Sequence, residues 1–151
     1  MRIEVTTAAF DPIAALSDFE AANLEAGATV SFVGRCRSQS NGVAVERLEL
    51  DYYPGFTEAT IAAYADDLAA RLTLQDITVV HRVGAIAPGE AIVLVAVASA
   101  HRKQAFNAVE DLMDFLKTDA PFWKREITAN GSVWVEPTLL DYCCRASRST
   151  S

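Results

Sequence analysis

The sequence contains few lysines, and they lie close together. Its 151 residues include 13 basic residues, of which only Lys103, Lys117 and Lys124 are lysines. The formal net charge is −7, which disfavours the broad basic surface that nucleic-acid binding needs. Arginine supplies the other positive charges, whereas a lysine can also present an amine whose pKa is lowered by burial. We therefore expect a small anionic ligand and a chemical role for lysine.

Cysteine, histidine and long apolar runs are also scarce. The three cysteines, Cys36, Cys143 and Cys144, are odd in number and two are adjacent, which is typical of a reducing compartment. With only His81 and His101 and no Cys-x-x-Cys pair, no metal site is predicted. No run approaches the roughly 18 apolar residues of a membrane helix, and no signal peptide is recognisable. We expect a cytoplasmic protein and, because no glycine-rich phosphate loop is present, no cofactor.

The length predicts one domain over residues 1–142, followed by a disordered tail at residues 143–151. Apolar periodicity predicts a strand, a helix, two strands, a helix, two strands, a helix and a hairpin. Asn41-Gly42 marks a turn into a returning strand, and Asn130-Gly131 marks the final hairpin. Strands joined by short turns pair antiparallel, so we expect an α+β fold with a mixed, largely antiparallel sheet and three main helices.

Caps and breakers indicate where the helices begin and end. In the first helix, Asp11 is the expected N-cap, Pro12 the first helical residue and Gly27 the stop. Ser99 is the expected cap of the third helix, which ends before Pro121. The apolar face of this third helix is predicted to contain Phe106, Val109, Leu112, Met113 and Leu116.

Basic residues cluster at the ends of predicted elements. Three clusters are present: Arg35 with Arg37, His101 with Arg102 and Lys103, and Lys117 with Lys124 and Arg125. Element ends can converge where strand interiors cannot, and the start of a helix exposes backbone N–H groups that bind anions. The sequence therefore predicts that the clusters converge on one anion pocket.

Each cluster also has a structural interpretation. Arg35 and Arg37 are compatible with a solvated strand edge, and the second cluster with an ordinary helix start. Lys117 near a helix C-terminus is compatible with simple compensation of the helix dipole. His81 and Arg82 are interpreted as structural, with the imidazole bonded to a backbone carbonyl.

Four motifs together carry a resemblance to a known family. In order, they are "FVGRCR", "HRVGAIAPGE", "VASAHRKQAF" and "LKTDAPFWKRE". In this order and spacing they resemble the large, catalytic subunit of molybdopterin synthase, over roughly Val30 to Glu136. The combination of "SAHR…AF" with "LK…PFWK.E" is the most specific part.

The resemblance implies an α+β fold with an α/β-hammerhead-like subdomain, in a heterotetramer of two large and two small subunits. It implies a small ubiquitin-like partner that ends in Gly-Gly and carries a C-terminal thiocarboxylate. Two sulfur transfers from this thiocarboxylate convert cyclic pyranopterin monophosphate to molybdopterin. The matching substrate-binding positions are Arg35, Cys36, Arg37, His101, Arg102, Lys117, Lys124, Arg125 and Glu126. Of these, Lys117 and Lys124 match the catalytic lysines.

The implied chemistry accounts for the lysines. Fixed cations stabilise the phosphate, the thiocarboxylate and the charge that develops during transfer, while a partly buried lysine can also move protons near neutral pH. We expect Lys117→Arg to be more damaging than Lys124→Arg. Cys36 stands where the family more usually has an aliphatic residue, and we interpret it as buried and inert. The alternatives are a non-catalytic module for a small phosphorylated ligand and an adaptor for a ubiquitin-like partner.

Overall fold

The computed structural model describes residues 1–139, 141 and 142. The disordered tail predicted for residues 143–151, with its two cysteines, lies outside the described residues. The element order is β1 (Arg2–Thr6), α1 (Pro12–Ala22), β2 (Ala28–Arg35), β3 (Gln39–Ser40), β4 (Val43–Tyr52), α2 (Phe56–Leu72), β5 (Leu74–Arg82), β6 (Gly84–Ile86), β7 (Ala91–Ser99), α3 (Arg102–Thr118), β8 (Phe122–Thr128) and β9 (Gly131–Val135). The predicted order and the α+β class are confirmed, with β3 and β6 as additional short strands.

The first sheet has the strand order β1-β5-β7-β2. Its outer strand β1 runs parallel to β5, and the other neighbours are antiparallel. Helices α2 and α3 cover one face, against Val93, Val95 and Val97 of β7, whereas α1 covers the other face, against Leu94 and Ala96. Because both faces of β7 are buried, its sequence is a continuous apolar run instead of an alternating one.

The second sheet has the order β3-β4-β8-β9, with β6 paired to β4. The chain reaches it from β5 through Val83 and Gly84, and Gly84 has a φ of 80°, which a residue with a side chain rarely adopts. A second apolar core lies here, formed by Cys36, Val45, Leu48, Leu50, Val83 and Ile86. No helix among the described residues is long and apolar enough to cross a membrane.

Several local predictions are confirmed. The Asp11 carboxylate caps α1 by accepting hydrogen bonds from the backbone N–H groups of Ile13 (2.8 Å) and Ala14 (3.4 Å). Asn41-Gly42 forms a turn in which both residues have positive φ, and Asn130 lies in the turn of the β8–β9 hairpin. However, the first turn joins β3 to β4, so that β2 and β4 belong to different sheets.

Three other local predictions were wrong. Helix α1 ends at Ala22, well before Gly27, and a Cβ on Gly27 would lie 2.2 Å from the carbonyl oxygen of Ala100. Glycine is therefore required there by close backbone approach. Ser99 is the last residue of β7, and His101 is the N-cap of α3. Phe106 is 60% exposed, outside the buried face of α3.

Candidate functional site

One cleft of about 880 Å³ brings together residues that lie far apart in the chain. Most of them belong to the end of β2 and the residues that follow it, the end of α3, strand β8, and a C-terminal segment that contributes residues 134–138, Asp141 and Tyr142. The cations that line this cleft are Arg35, Arg37, Lys117 and Lys124. Arg35 and Arg37 thus converge with the two lysines of the third cluster, although 89 positions separate Arg35 from Lys124. Several apolar side chains, including Phe32, Ile92 and Met113, complete the walls.

Lys124 is the more enclosed of the two lysines in the cleft. It lies on β8 opposite Leu50 of β4, and its side chain is half-buried. Burial lowers the pKa of the Lys124 ammonium; Glu126 and Cys36 oppose the shift, whereas the nearby charges of Arg37 and Lys117 reinforce it. An amine with a lowered pKa loses and regains its proton closer to neutral pH than an ordinary lysine. Lys124 is therefore suited to proton transfer.

Lys117 lies in the last turn of α3 and is 56% exposed. Its Nζ is 3.1 Å from Oδ1 of Asp141, which belongs to the C-terminal segment. The other carboxylate oxygen of Asp141 accepts hydrogen bonds from the backbone N–H of Thr138 (2.8 Å) and from its hydroxyl (2.7 Å). The Thr138 hydroxyl and, to a smaller extent, Lys117 lower the pKa of Asp141. The Asp141 carboxylate thus forms an ion pair with Lys117, one of the two candidate catalytic lysines.

Asp141 and Thr138 were not predicted as site residues. Their sequence signal is the Thr-x-x-Asp spacing, which resembles a helix capping box, because the Thr138 hydroxyl also accepts from the backbone N–H of Asp141 (3.3 Å). That signal indicates a local turn or helix start. The Thr-x-x-Asp spacing does not predict that this turn packs against the end of α3, where Asp141 meets Lys117.

Arg35 and Arg37 are both exposed and flank a buried residue. The Arg35 guanidinium donates a hydrogen bond to the carbonyl oxygen of Gly89 (3.1 Å). Cys36 packs in the second core, and burial raises the pKa of its thiol. Among the residues described, Cys36 is buried and does not line the cleft. This agrees with its interpretation as a buried thiol. It does not support the place that the resemblance gives Cys36 among the binding positions.

The second cluster lies elsewhere in the protomer. His101, Arg102 and Lys103 surround a separate cavity of about 490 Å³, together with Gly27 and Ala100. Lys117 is at the opposite end of α3, and 15 residues of helix separate it from Arg102 by about 22 Å. Within one protomer, the predicted convergence therefore includes the first cluster and the two lysines of the third, but not the second cluster.

Arg125 and Glu126 have different surroundings from Lys124. Arg125 forms an ion pair with Glu49 and stacks over Trp134, 5.3 Å from the ring centroid. Glu126 acts electrostatically on both Lys124 and Cys36. In the described part of the chain, neither Arg125 nor Glu126 lines the cleft.

Aromatic residues and a histidine form part of the cleft wall. The imidazole of His81 stacks on Phe122, with ring centroids 4.1 Å apart, and its Nδ1 donates to the carbonyl oxygen of Arg82 (3.0 Å). Burial lowers the pKa of His81 to about 4, so the ring is neutral at pH 7. Trp123 is partly exposed and meets Tyr53 edge to face at 4.8 Å. The backbone contact of His81 is the one expected for a structural histidine.

Fold and cleft together define a class: an α+β protein with a cleft that four cations line, one of them a half-buried lysine of lowered pKa. The sequence matches the family model described as MoaE protein over residues 5–119. The chain belongs to the MoaE family.

Individual relatives agree with this assignment. The chain is 48% identical to the molybdopterin synthase catalytic subunit of Caulobacter vibrioides, with 93% of each chain covered. It is also similar to the solved molybdopterin biosynthesis MoaE protein from Burkholderia ambifaria, with a TM-score of 0.82, 37% identity and 99% of each chain covered. A chain in the complex of subunits 1 and 2 of molybdopterin-converting factor from Helicobacter pylori has a TM-score of 0.74, with 87% and 88% of the two chains covered. At 21% identity, this last match shows the fold alone. The resemblance carried by the four motifs is confirmed.

Proposed function

We propose that this protein transfers sulfur to cyclic pyranopterin monophosphate and so makes the dithiolene of molybdopterin. The sulfur donor is the C-terminal thiocarboxylate of a small ubiquitin-like subunit that ends in Gly-Gly. Each of two transfers consumes one thiocarboxylate: its carbon–sulfur bond breaks, and an oxygen from water or from the pterin position that sulfur enters completes a carboxylate on the last glycine of that small subunit. The observation that carries the proposal is the convergence of Arg35, Arg37, Lys117 and Lys124 on one cleft in a chain of the MoaE family.

The cations have separate tasks in this reaction. Arg35 and Arg37 bind the cyclic phosphate, because a guanidinium donates two parallel hydrogen bonds to phosphate oxygens. Lys124 moves protons, since it is the half-buried lysine with the lowered pKa. Lys117, on the exposed rim, attracts the negatively charged tail of the small subunit. Preorganised positive charge also stabilises the anion that develops on the pterin.

The remaining predicted positions fit an assembly of two large and two small subunits. His101 and Arg102 are remote from the cleft of their own protomer, so we assign them to the cleft of a second large subunit. Arg125 and Glu126 follow Lys124 on β8 and support its position and charge. A Gly-Gly end suits approach to the lysines, because glycine allows close backbone approach.

Mass spectrometry tests the proposal directly. Purified protein is mixed with thiocarboxylated small subunit and cyclic pyranopterin monophosphate, and both products are weighed. We expect loss of the thiocarboxylate and gain of two sulfur atoms by the pterin. A non-catalytic module would bind the pterin without consuming thiocarboxylate, and an adaptor would bind only the small subunit. Either of these results would exclude the enzyme function.

A further inference from the structure

The segment from His81 to Glu90 connects the two sheets. It also contacts the stretch of chain that contains Arg35 and Arg37. It contains the end of β5, strand β6 and a turn at residues 87–90. This is the "HRVGAIAPGE" motif, and the sulfur-transfer proposal gives it no task. We define the turn at residues 87–90 as the support turn.

Three hydrogen bonds attach the support turn to the chain around Cys36. The Cys36 N–H donates to the carbonyl oxygen of Glu90 (3.0 Å), and the Gly89 N–H donates to the carbonyl oxygen of Cys36 (2.8 Å). The Arg35 guanidinium donates to the carbonyl oxygen of Gly89 (3.1 Å). The residue between the two arginines is therefore held through its own backbone, and one of the arginines through its side chain.

Regular sheet pairing does not by itself determine where these arginines lie. The β2–β7 register shifts between Gly34 and Arg35, so that Gly34 pairs with Val93 but Arg35 pairs with Ala91. Strand β2 ends at Arg35, and Cys36 and Arg37 continue beyond it. Beyond this irregularity, hydrogen bonds to the support turn take the place of the β2–β7 backbone hydrogen bonds.

The Glu90 carboxylate helps to hold the shape of the support turn, beside a backbone hydrogen bond from the Glu90 N–H to the carbonyl oxygen of Ala87 (3.1 Å). Oε2 of Glu90 accepts from the backbone N–H of Ala87 (2.7 Å) and lies 2.8 Å from Nη1 of Arg82. The Arg82 side chain is only 10% exposed, and its Nη2 donates to the carbonyl oxygen of Ala85 (3.2 Å). A guanidinium with two anchored nitrogens on a buried side chain fixes the carboxylate more strictly than an exposed ion pair does.

We propose that Arg82 and Glu90 are positioning residues that aim Arg35 and Arg37 at the phosphate of the substrate. The pair acts through the support turn, which in turn holds the backbone of Cys36. This inference rests on the proposed function and adds to it a pair of residues outside the cleft lining. A misplacement of about 1 Å in a binding group can reduce activity by as much as about a hundredfold. A small shift of the support turn would therefore weaken phosphate binding by Arg35 and Arg37.

The first variant is Glu90→Gln, because the Glu90 side chain is partly exposed and the change is nearly isosteric. The amide oxygen can still accept from Ala87, but the charge that holds Arg82 is lost. We expect the KM for cyclic pyranopterin monophosphate to rise about tenfold, with kcat within about twofold of wild type, because phosphate binding is weakened equally in the ground and transition states. Arg82→Lys keeps the positive charge but cannot bond both Glu90 and the carbonyl oxygen of Ala85 in the guanidinium geometry. We therefore expect KM to rise in this variant as well.

Two further measurements separate positioning from general stability. Hydrogen exchange of the Cys36 and Gly89 amides should accelerate in Glu90→Gln, while amides in the interior of β7 stay protected. The matched control is Asp67→Asn, which breaks the exposed Arg71–Asp67 pair on α2; we expect its KM and its Cys36 exchange to equal those of wild type.

The outcomes also separate this inference from the proposed function. A wild-type protein that transfers no sulfur overturns the proposed function. A wild-type protein that is active, together with a folded Glu90→Gln variant of unchanged KM, overturns only the positioning role. A parallel fall in kcat and kcat/KM, with KM unchanged, also contradicts positioning, because it assigns the pair to the chemical step.

Discussion

Lys117 and Lys124 differ more in their surroundings than in their sequence context. Lys117 is exposed at the end of a helix and paired with a carboxylate, whereas Lys124 is half-buried on a strand between other charges. The sequence-based expectation assigns the larger arginine effect to Lys117. The structure favours the reverse order, because only burial and nearby cations make a lysine amine easier to deprotonate.

We expect Lys124→Arg to lower the rate of sulfur transfer by about 10²–10⁴-fold, the usual contribution of general acid–base catalysis. The guanidinium keeps the positive charge but does not release its proton. Lys117→Arg should keep much of the activity, since it retains the charge at the exposed rim. Single-turnover kinetics with saturating substrate measures both rates. Wild-type turnover in Lys124→Arg would reduce the site to an electrostatic clamp.

His81 should make stability depend on pH. Its folded pKa of about 4 lies below its ordinary value of 6.5, so the unfolded chain takes up a proton first as pH falls. Stability is therefore lost as pH decreases from about 6.5 to about 4, by about 2 kcal/mol at pH 5 and about 3 kcal/mol in full. Urea unfolding of wild type and His81→Gln between pH 7.5 and 4.5 measures this. The variant should show a smaller decrease, and equal decreases would assign the effect to other groups.

At the scale of elements, the C-terminal segment and the end of α3 form a unit that sequence periodicity does not reveal. The segment lines the cleft with residues 134–138, Asp141 and Tyr142, and it places Asp141 against Lys117. In the proposed reaction, the small subunit's tail brings its own negative charge to this lysine. The two anions then compete for one ammonium group.

Asp141→Asn should therefore strengthen binding of the small subunit. The asparagine side chain can still accept hydrogen bonds from Thr138, while the ion pair with Lys117 is lost. Exposed ion pairs contribute about 0.2–1 kcal/mol, so we expect an increase in affinity of at most about fivefold, measured by calorimetry with carboxylate-terminated small subunit. Asp18→Asn, an exposed position on α1, removes the same charge at a distance and serves as control. Equal affinities in both variants would contradict competition for Lys117.

At the scale of the whole molecule, the cavity around His101 and Arg102 is separate from the cleft. Since α3 holds Arg102 and Lys117 about 22 Å apart, no side-chain movement within one protomer unites them. A second copy of the chain can bring its own helix start to the cleft, as the proposed assembly requires. A symmetric dimer contains two such composite sites.

Mixing two inactive variants tests this arrangement. Lys124→Ala and Arg102→Ala should each lose most activity alone. When they are co-expressed, half of the dimers are mixed, and each mixed dimer has one site with both lesions and one intact site, so about a quarter of the sites recover. Activity of the purified mixed dimer, selected by two different affinity tags, measures the recovery. Absence of activity in that dimer would show that Arg102 does not act across the interface.

The sequence by itself determined the features that depend on neighbouring residues. Asp11 caps α1 because its carboxylate reaches N–H groups two and three positions away, and Asn41-Gly42 forms a turn because both residues tolerate positive φ. The four motifs identified the family and named Lys117 and Lys124. These signals are local or are read directly from residue order, so no knowledge of packing was needed.

Only the tertiary structure decided which residues far apart in the chain are in contact. It separated β2 from β4, gave Gly27 a packing role under Ala100, and left His101 apart from the cleft. It also placed Asp141 on Lys117 and lowered the pKa of Lys124. Each of these depends on distance and burial between residues far apart in the chain. Such contacts result from the packing of two sheets and three helices, which no short stretch of sequence contains.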